Sequence, residues 1–88
     1  MKTIIIDGNE LISMSEIHEI FAAELDFPDW YGKNLDALYD CLGDVTEELE
    51  IIFENTAELE ENLGISFRKL LRLLEDVSSE NDYISVEV

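Results

Sequence analysis

The chain alternates between short runs rich in β-branched residues and longer stretches with helical periodicity. The short runs are residues 3–6, 50–53 and 83–88. The first two are continuously apolar, which is typical of buried strands, whereas the third alternates as a half-exposed edge strand does. Because helical stretches separate the runs, direct hairpins are excluded, and the crossovers predict parallel strands.

The first helical stretch has clear start and stop signals. Ser13 and Glu16 have the spacing of a capping box, and Ile12 and Ile17 supply the apolar pair that often flanks it. Helical spacing of apolar residues then continues towards Pro28, which cannot be accommodated inside a helix. The pattern therefore predicts a first helix that begins after Ser13 and ends before Pro28.

Two further helices are predicted from caps and glycines. Asn34 can cap a second helix that ends at Gly43. Asn55 or Thr56 can open a third, shorter helix that ends at Gly64.

Ser66 is predicted to open a fourth helix. Its spacing predicts one buried stripe, made of Phe67, Leu70, Leu71, Leu74 and Val77. Eighty-eight residues are too few for two independent cores, so residues 1–88 are expected to form a single domain. We therefore predict an α/β fold in which a three-stranded parallel sheet packs with about four helices.

Charge restricts the partners of this chain. It has 22 acidic and 5 basic residues, a formal net charge of −17. Such a surface is unsuited to nucleic acid or to an anionic membrane, and a basic partner is expected. The first residues lack the apolar core of a secretory signal, and no apolar segment is long enough to span a membrane. Cys41 is the single cysteine, so it can form no intrachain disulfide. These features favour a cytoplasmic protein.

The second helix carries acids at a fixed spacing. Asp36 and Asp40 are four residues apart, so both project from one face, Tyr39 adjoins them, and Asp44 follows one turn later. No Lys or Arg of that helix compensates them, and like charges at this spacing cost an isolated helix about 0.2–0.5 kcal/mol. This ridge is either a functional surface or one solvated face of a very acidic protein, and the residues alone leave both open.

The segment before that helix contains adjacent aromatic residues, Trp30 and Tyr31, between Pro28 and Gly32. Two adjacent side chains cannot easily both face the core. One is expected to pack inward while the other reaches the surface near Asp36, where an exposed aromatic would suit a protein interface. The alternative is that both pack against the core.

Residues 30–42 read Trp-Tyr-Gly-Lys-Asn-Leu-Asp-Ala-Leu-Tyr-Asp-Cys-Leu. This segment closely resembles the central motif of the barstar family, and the order of strands and helices around it is also similar. Members of that family are intracellular inhibitors of secreted guanyl-type microbial ribonucleases and related toxins. The resemblance implies a three-stranded parallel sheet with helices, and a second helix that plugs the basic active site of an enzyme.

The resemblance also implies residue roles. Asp40 would occupy the position of a substrate phosphate and Asp36 would assist it, with Trp30 and Tyr39 along the interface and Asp76 contributing from the last helix. The predicted partner-binding residues are Trp30, Asn34, Leu35, Asp36, Tyr39, Asp40, Gly43, Asp44 and Asp76. The family pattern differs in its aromatic residues at positions 30 and 39 and continues differently after Leu42. An acidic module for another basic protein or a non-ribonuclease toxin is the alternative function.

Other classes of function fit less well. Catalysis is not expected, because the carboxylates share one exposed face and His18, the single histidine, is predicted to be solvated off the apolar stripe. Cys41 is predicted to lie on the buried side of its helix. An acyl-carrier protein would need a serine at the position of Ala37, and the sequence contains no calcium-binding loop. The sequence therefore predicts no cofactor and no metal, and a monomer in the free state.

Overall fold

The computed structural model describes residues 1–10 and 13–88. Its elements are β1 (Lys2–Asp7), α1 (Met14–Leu25), α2 (Leu35–Gly43), β2 (Leu49–Glu54), α3 (Thr56–Leu63), α4 (Ile65–Glu80) and β3 (Ile84–Glu87). Both neighbouring strand pairs are parallel, in the order β1-β2-β3. The predicted α/β fold, with three parallel strands and four helices, is confirmed.

The sheet is buried on one face. Ile4 pairs with Ile51 and Ile6 with Phe53, and all four side chains are buried. Ile5, which points to the other face, is 51% exposed. The prediction that the first two runs are buried throughout is therefore wrong for this face: the helices cover only one side of the sheet.

Local capping signals place the first two helices. The Ser13 hydroxyl accepts the Glu16 backbone N–H at 3.2 Å, and the Asn34 side chain accepts that of Ala37 at 2.8 Å. Ile12, proposed as half of the apolar pair around the first cap, lies outside the described residues. Helix α1 ends at Leu25, before Pro28 as predicted.

The third helix begins where it was predicted, at Thr56 after Asn55, whereas the fourth begins before its predicted cap. Thr56 is the first residue of α3, but the side chain of Asn55 makes no capping bond and donates instead to Asp7 at 2.7 Å. Helix α4 begins at Ile65 after Gly64, whose φ of 57° suits glycine. Ser66 therefore lies inside α4, and its predicted role as the opening cap is wrong.

Helix α2 packs on α4 and is fixed at its C-terminal end. Leu38 and Leu42 bury the inner face of α2. The Asn81 side chain, just after α4, donates to the carbonyls of Leu42 at 3.2 Å and Val45 at 2.9 Å. Because Leu42 belongs to α2, these bonds hold the helix end against the α4–β3 connection.

The stripe predicted for α4 is largely confirmed. Phe67, Leu70, Leu74 and Val77 are buried, whereas Leu71 is half-buried at the border of the stripe. Across the described residues, no helix is long and apolar enough to cross a bilayer.

Candidate functional site: an acidic face on two helices

Helix α2 separates its apolar and acidic residues onto opposite sides. Asp36 and Asp40 are exposed, whereas Leu38 and Leu42 are fully buried. At 1.5 Å of rise per residue, the two aspartates stand about 6 Å apart along the helix axis. The cap at Asn34 fixes the first turn of α2, so the carboxylates project from a rigid backbone.

These two carboxylates have no cationic partner within the described part of the chain. The ion pairs there join Lys2 to Glu24, Lys33 to Glu19 and Arg68 to Glu60. None of the three involves an acid of α2, and Arg68 is engaged with α3. The negative charge of the α2 ridge is therefore presented to solvent.

Helix α4 adds carboxylates next to this ridge. The Tyr39 hydroxyl donates a hydrogen bond to the carboxylate of Glu80, at the last turn of α4. This bond raises the pKa of Tyr39, and the nearby charges of Asp76 and Asp40 raise it further. Tyr39 therefore lies among carboxylates from both helices. We call Asp36, Tyr39, Asp40, Asp76 and Glu80 the acidic face.

Glu80 was not among the residues predicted from the sequence. It stands four residues after Asp76, so both project from one side of α4. That spacing was the available signal. What it could not show is the contact with Tyr39, which depends on how α2 packs on α4.

The predicted division between the two adjacent aromatic residues is confirmed. Trp30 is 82% exposed, whereas Tyr31 is buried. The Tyr31 hydroxyl lies 2.5 Å from Nδ1 of His18, and its ring meets Phe27 edge-on at 4.9 Å between centroids. Tyr31 thus anchors the loop before α2 to α1 and leaves Trp30 in solvent.

His18 is buried, and the prediction of a solvated histidine is wrong. Only 4% of it is exposed, because Tyr31 covers the side of α1 on which it lies. Burial, and then the charge of Lys33, lower the pKa of His18. Burial also raises the pKa of Tyr31 to about 12, with a smaller effect of Cys41. His18 precedes Phe21 and Leu25 by three and seven residues, a helical spacing that could have indicated its burial.

The remaining predicted residues border the acidic face or support it. The Asn34 side chain is engaged as a cap, and Leu35 packs partly against the core. Gly43 and Asp44 are exposed at the end of α2, and a Cβ on Gly43 would meet no atom of residues 1–10 or 13–88 within 4 Å. Cys41 is half-buried, in line with its predicted inward side, and burial raises the pKa of its thiol. A role of these residues in partner binding stays a prediction.

The acidic face is better suited to binding cationic groups of another molecule than to catalysis. The histidine is held in a buried bond with Tyr31, away from the carboxylates of the acidic face. Over residues 1–10 and 13–88, no three His, Cys, Asp or Glu side chains are grouped so that they could hold a metal ion. Exposed carboxylates on a capped helix, with an exposed indole in the loop before it, are features of a protein–protein interface with an aromatic anchor and a charged rim.

Comparison with known proteins identifies the family of the chain. The family described as Barstar (barnase inhibitor) matches residues 1–87. A Bacillus subtilis (strain 168) protein named "Putative ribonuclease inhibitor YrdF" is 37% identical over 81 residues, which cover 91% of this chain and 89% of that protein. Since the match to the family spans nearly the whole chain and the relative aligns over most of both lengths, the chain belongs to the Barstar family.

Proposed function

We propose that this protein inhibits a ribonuclease by inserting α2 into its active site. The target class is a secreted guanyl-type microbial ribonuclease or a ribonuclease toxin. The observation that carries the proposal is the acidic face, in which the carboxylates of Asp36 and Asp40 are exposed on a capped helix without a cationic partner in the described chain. Membership of the Barstar family supports an inhibitor rather than an enzyme.

The electrostatics of such a pair are complementary. A ribonuclease stabilises the charge of a phosphate, so its cleft is cationic. Carboxylates on a short, capped helix need little reordering on binding, and little entropy is lost. The net charge of −17 also attracts a basic enzyme from a distance, an effect that salt screens.

The residues of the acidic face then have distinct roles. Asp40 stands in for an RNA phosphate among the cationic groups of the enzyme, with Asp36 assisting from the previous turn. Trp30, 82% exposed, packs its indole against the rim of the cleft. Asp76 extends the contact from α4, and the hydrogen bond from Tyr39 orients Glu80 beside it.

Inhibition can be measured directly. The purified protein is mixed with a panel of guanyl-type ribonucleases, and RNA cleavage is followed as the protein is titrated. Stoichiometric loss of cleavage with one enzyme supports the proposal. Undiminished cleavage at micromolar protein throughout the panel would favour an acidic module for another basic protein, which the departures from the family pattern at residues 43–45 also permit.

A charge-matched series tests the mechanism. Asp40→Ala is compared with Glu47→Ala, Glu48→Ala, Glu58→Ala and Glu60→Ala, each of which also removes one negative charge. If α2 is the plug, Asp40→Ala weakens inhibition more than any of the other four. Equal inhibition by all five variants would contradict the plug and leave only a general effect of charge.

A further inference from the structure

A groove runs between the C-terminal ends of α1 and α2. Its main cavity, of about 340 Å³, is bounded by the last residue of α1, the loop that follows, and the residues just after α2. A second cavity of about 210 Å³ continues it towards the start of β1. The two share Leu25, Asp26, Val45 and Glu47, so they adjoin each other along the groove.

The lining of this groove is amphipathic. Leu25, Phe27 and Val45 line the main cavity with apolar surface, and each is itself half-buried. Asp26 and Glu47 are exposed and line both cavities. A neutral apolar ligand would leave these carboxylates beside it without a counter-charge, and an anion would be repelled.

One lysine of the chain already shows which chemistry suits this groove. Lys2 lines the second cavity, where its ammonium donates to the Glu24 carbonyl at 2.6 Å and lies 3.6 Å from the Glu24 carboxylate. That carbonyl belongs to the last turn of α1, the negative end of the helix dipole. Among the residues that the structure describes, no Lys or Arg lines the main cavity, and the last turns of α1 and α2 contain none. Its negative potential is therefore uncompensated.

We propose that the main cavity is a second contact site for the protein partner and takes one of its lysine or arginine side chains. The methylene stem of such a residue matches the apolar lining, and its charged end matches the carboxylates. A second copy of this chain, at a net charge of −17, is a poor occupant.

The groove is continuous with the acidic face, on whose proposed function this inference rests. Cys41 lines the cavity and directly follows Asp40 in α2, and Asp44 lies at its border. A partner seated on Asp40 is thus within one helical turn of the groove. The inference specifies the partner further: besides its active-site cations, it presents one long basic side chain beyond the C-terminal end of α2.

The first test needs no ribonuclease. Backbone amide NMR shifts are recorded while N-acetyl-lysine-N-methylamide is added at constant ionic strength, with N-acetyl-norleucine-N-methylamide as the uncharged control. A probe of this size binds at best at roughly millimolar concentration. Saturable shifts around Leu25 and Val45 with the lysine probe alone support the site. Equal shifts on α3, or equal effects of both probes, would overturn it.

The second test uses an inhibited ribonuclease. Asp26→Asn/Glu47→Gln removes two charges from the groove, and asparagine tolerates the φ of 54° at position 26. Glu58→Gln/Glu61→Gln removes two exposed charges from α3 as the matched control. We expect the groove variant to raise the inhibition constant about tenfold, which corresponds to the loss of one charge-assisted contact. The control variant should raise it about threefold or less.

The outcomes separate the two proposals. If Asp40→Ala abolishes inhibition while the groove variant behaves like its control, the groove proposal fails and the plug stands. If the wild-type protein inhibits no ribonuclease, the proposed function fails, and the lysine-probe titration still decides whether the groove binds a cationic side chain. Thermal unfolding of both double variants checks that neither result reflects loss of the fold.

Discussion

The buried bond between His18 and Tyr31 predicts how stability changes with pH. Tyr31→Phe removes the hydroxyl that lies 2.5 Å from Nδ1 of His18 and leaves that nitrogen without this partner in a site that is 4% exposed. A buried polar group left unpaired costs about 1–3 kcal/mol. For a domain of this size, each kcal/mol shifts the melting temperature by roughly 4–8 °C, so we expect Tyr31→Phe to melt visibly earlier than the wild type.

The pH dependence follows from the lowered pKa of His18, which burial and then the charge of Lys33 cause. The unfolded chain binds a proton near the ordinary histidine value of about 6.5, whereas the folded chain does so at lower pH. The stability from neutral His18 is thus fully present above about pH 6.5. It is lost as the pH falls through the folded pKa, with a slope of at most about 1.4 kcal/mol per pH unit.

The measurement is urea unfolding of the wild type and of His18→Gln between pH 7.5 and 5. Because 22 acids also titrate as the pH falls, only the difference between the two proteins reports on His18. We expect the stability of the wild type to fall relative to that of His18→Gln as the pH decreases. Parallel pH profiles would refute the buried neutral histidine.

Three further predictions concern individual contacts of the fold and of the acidic face. Asn81→Ala frees the end of α2 and should lower the free energy of unfolding in urea by about 1–3 kcal/mol, whereas the exposed control Asn62→Ala should not. Equal stability of the two variants would mean that the bonds to Leu42 and Val45 contribute nothing. Gly8→Ala places a Cβ 2.2 Å from the carbonyl oxygen of Asn55, so it should lower the free energy of unfolding by about 1–3 kcal/mol and the melting temperature with it. An unchanged melting temperature would contradict this close approach. In an ultraviolet difference titration, Glu80→Gln should bring the pKa of Tyr39 down towards its ordinary value, whereas Glu75→Gln should not. An unchanged pKa in Glu80→Gln would exclude the hydrogen bond between Tyr39 and Glu80.

Local signals were sufficient to predict α2 and its exposed acids. The cap at Asn34, the spacing of Asp36 and Asp40, and the end at Gly43 all belong to one helix and its cap, so short-range rules predict them. The parallel strands followed from the helical stretches between the apolar runs. The sequence left open whether one or both of Trp30 and Tyr31 are buried, and which one; packing buries Tyr31 and leaves Trp30 exposed.

Three of the four errors share a physical cause, which is packing between distant segments, and the error at Ser66 is local. His18 is buried by Tyr31, thirteen residues away, and Glu80 reaches Tyr39 across 41 residues. Ile5 is exposed because the helices cover one face of the sheet, a fact that its apolar run cannot encode. Ser66 fails as a cap because α4 already begins at Ile65.

The distribution of charge along α4 has a consequence for the isolated protein. Arg68 and Arg72 lie in its first half, whereas Asp76 and Glu80 lie towards its carboxyl end, the reverse of the order that a helix dipole favours. In the free molecule these charges therefore conflict with the helix dipole of α4, and burial of the apolar stripe of α4 offsets the cost. A cationic surface docked at that end would relieve the conflict, so complex formation and resistance to unfolding should increase together.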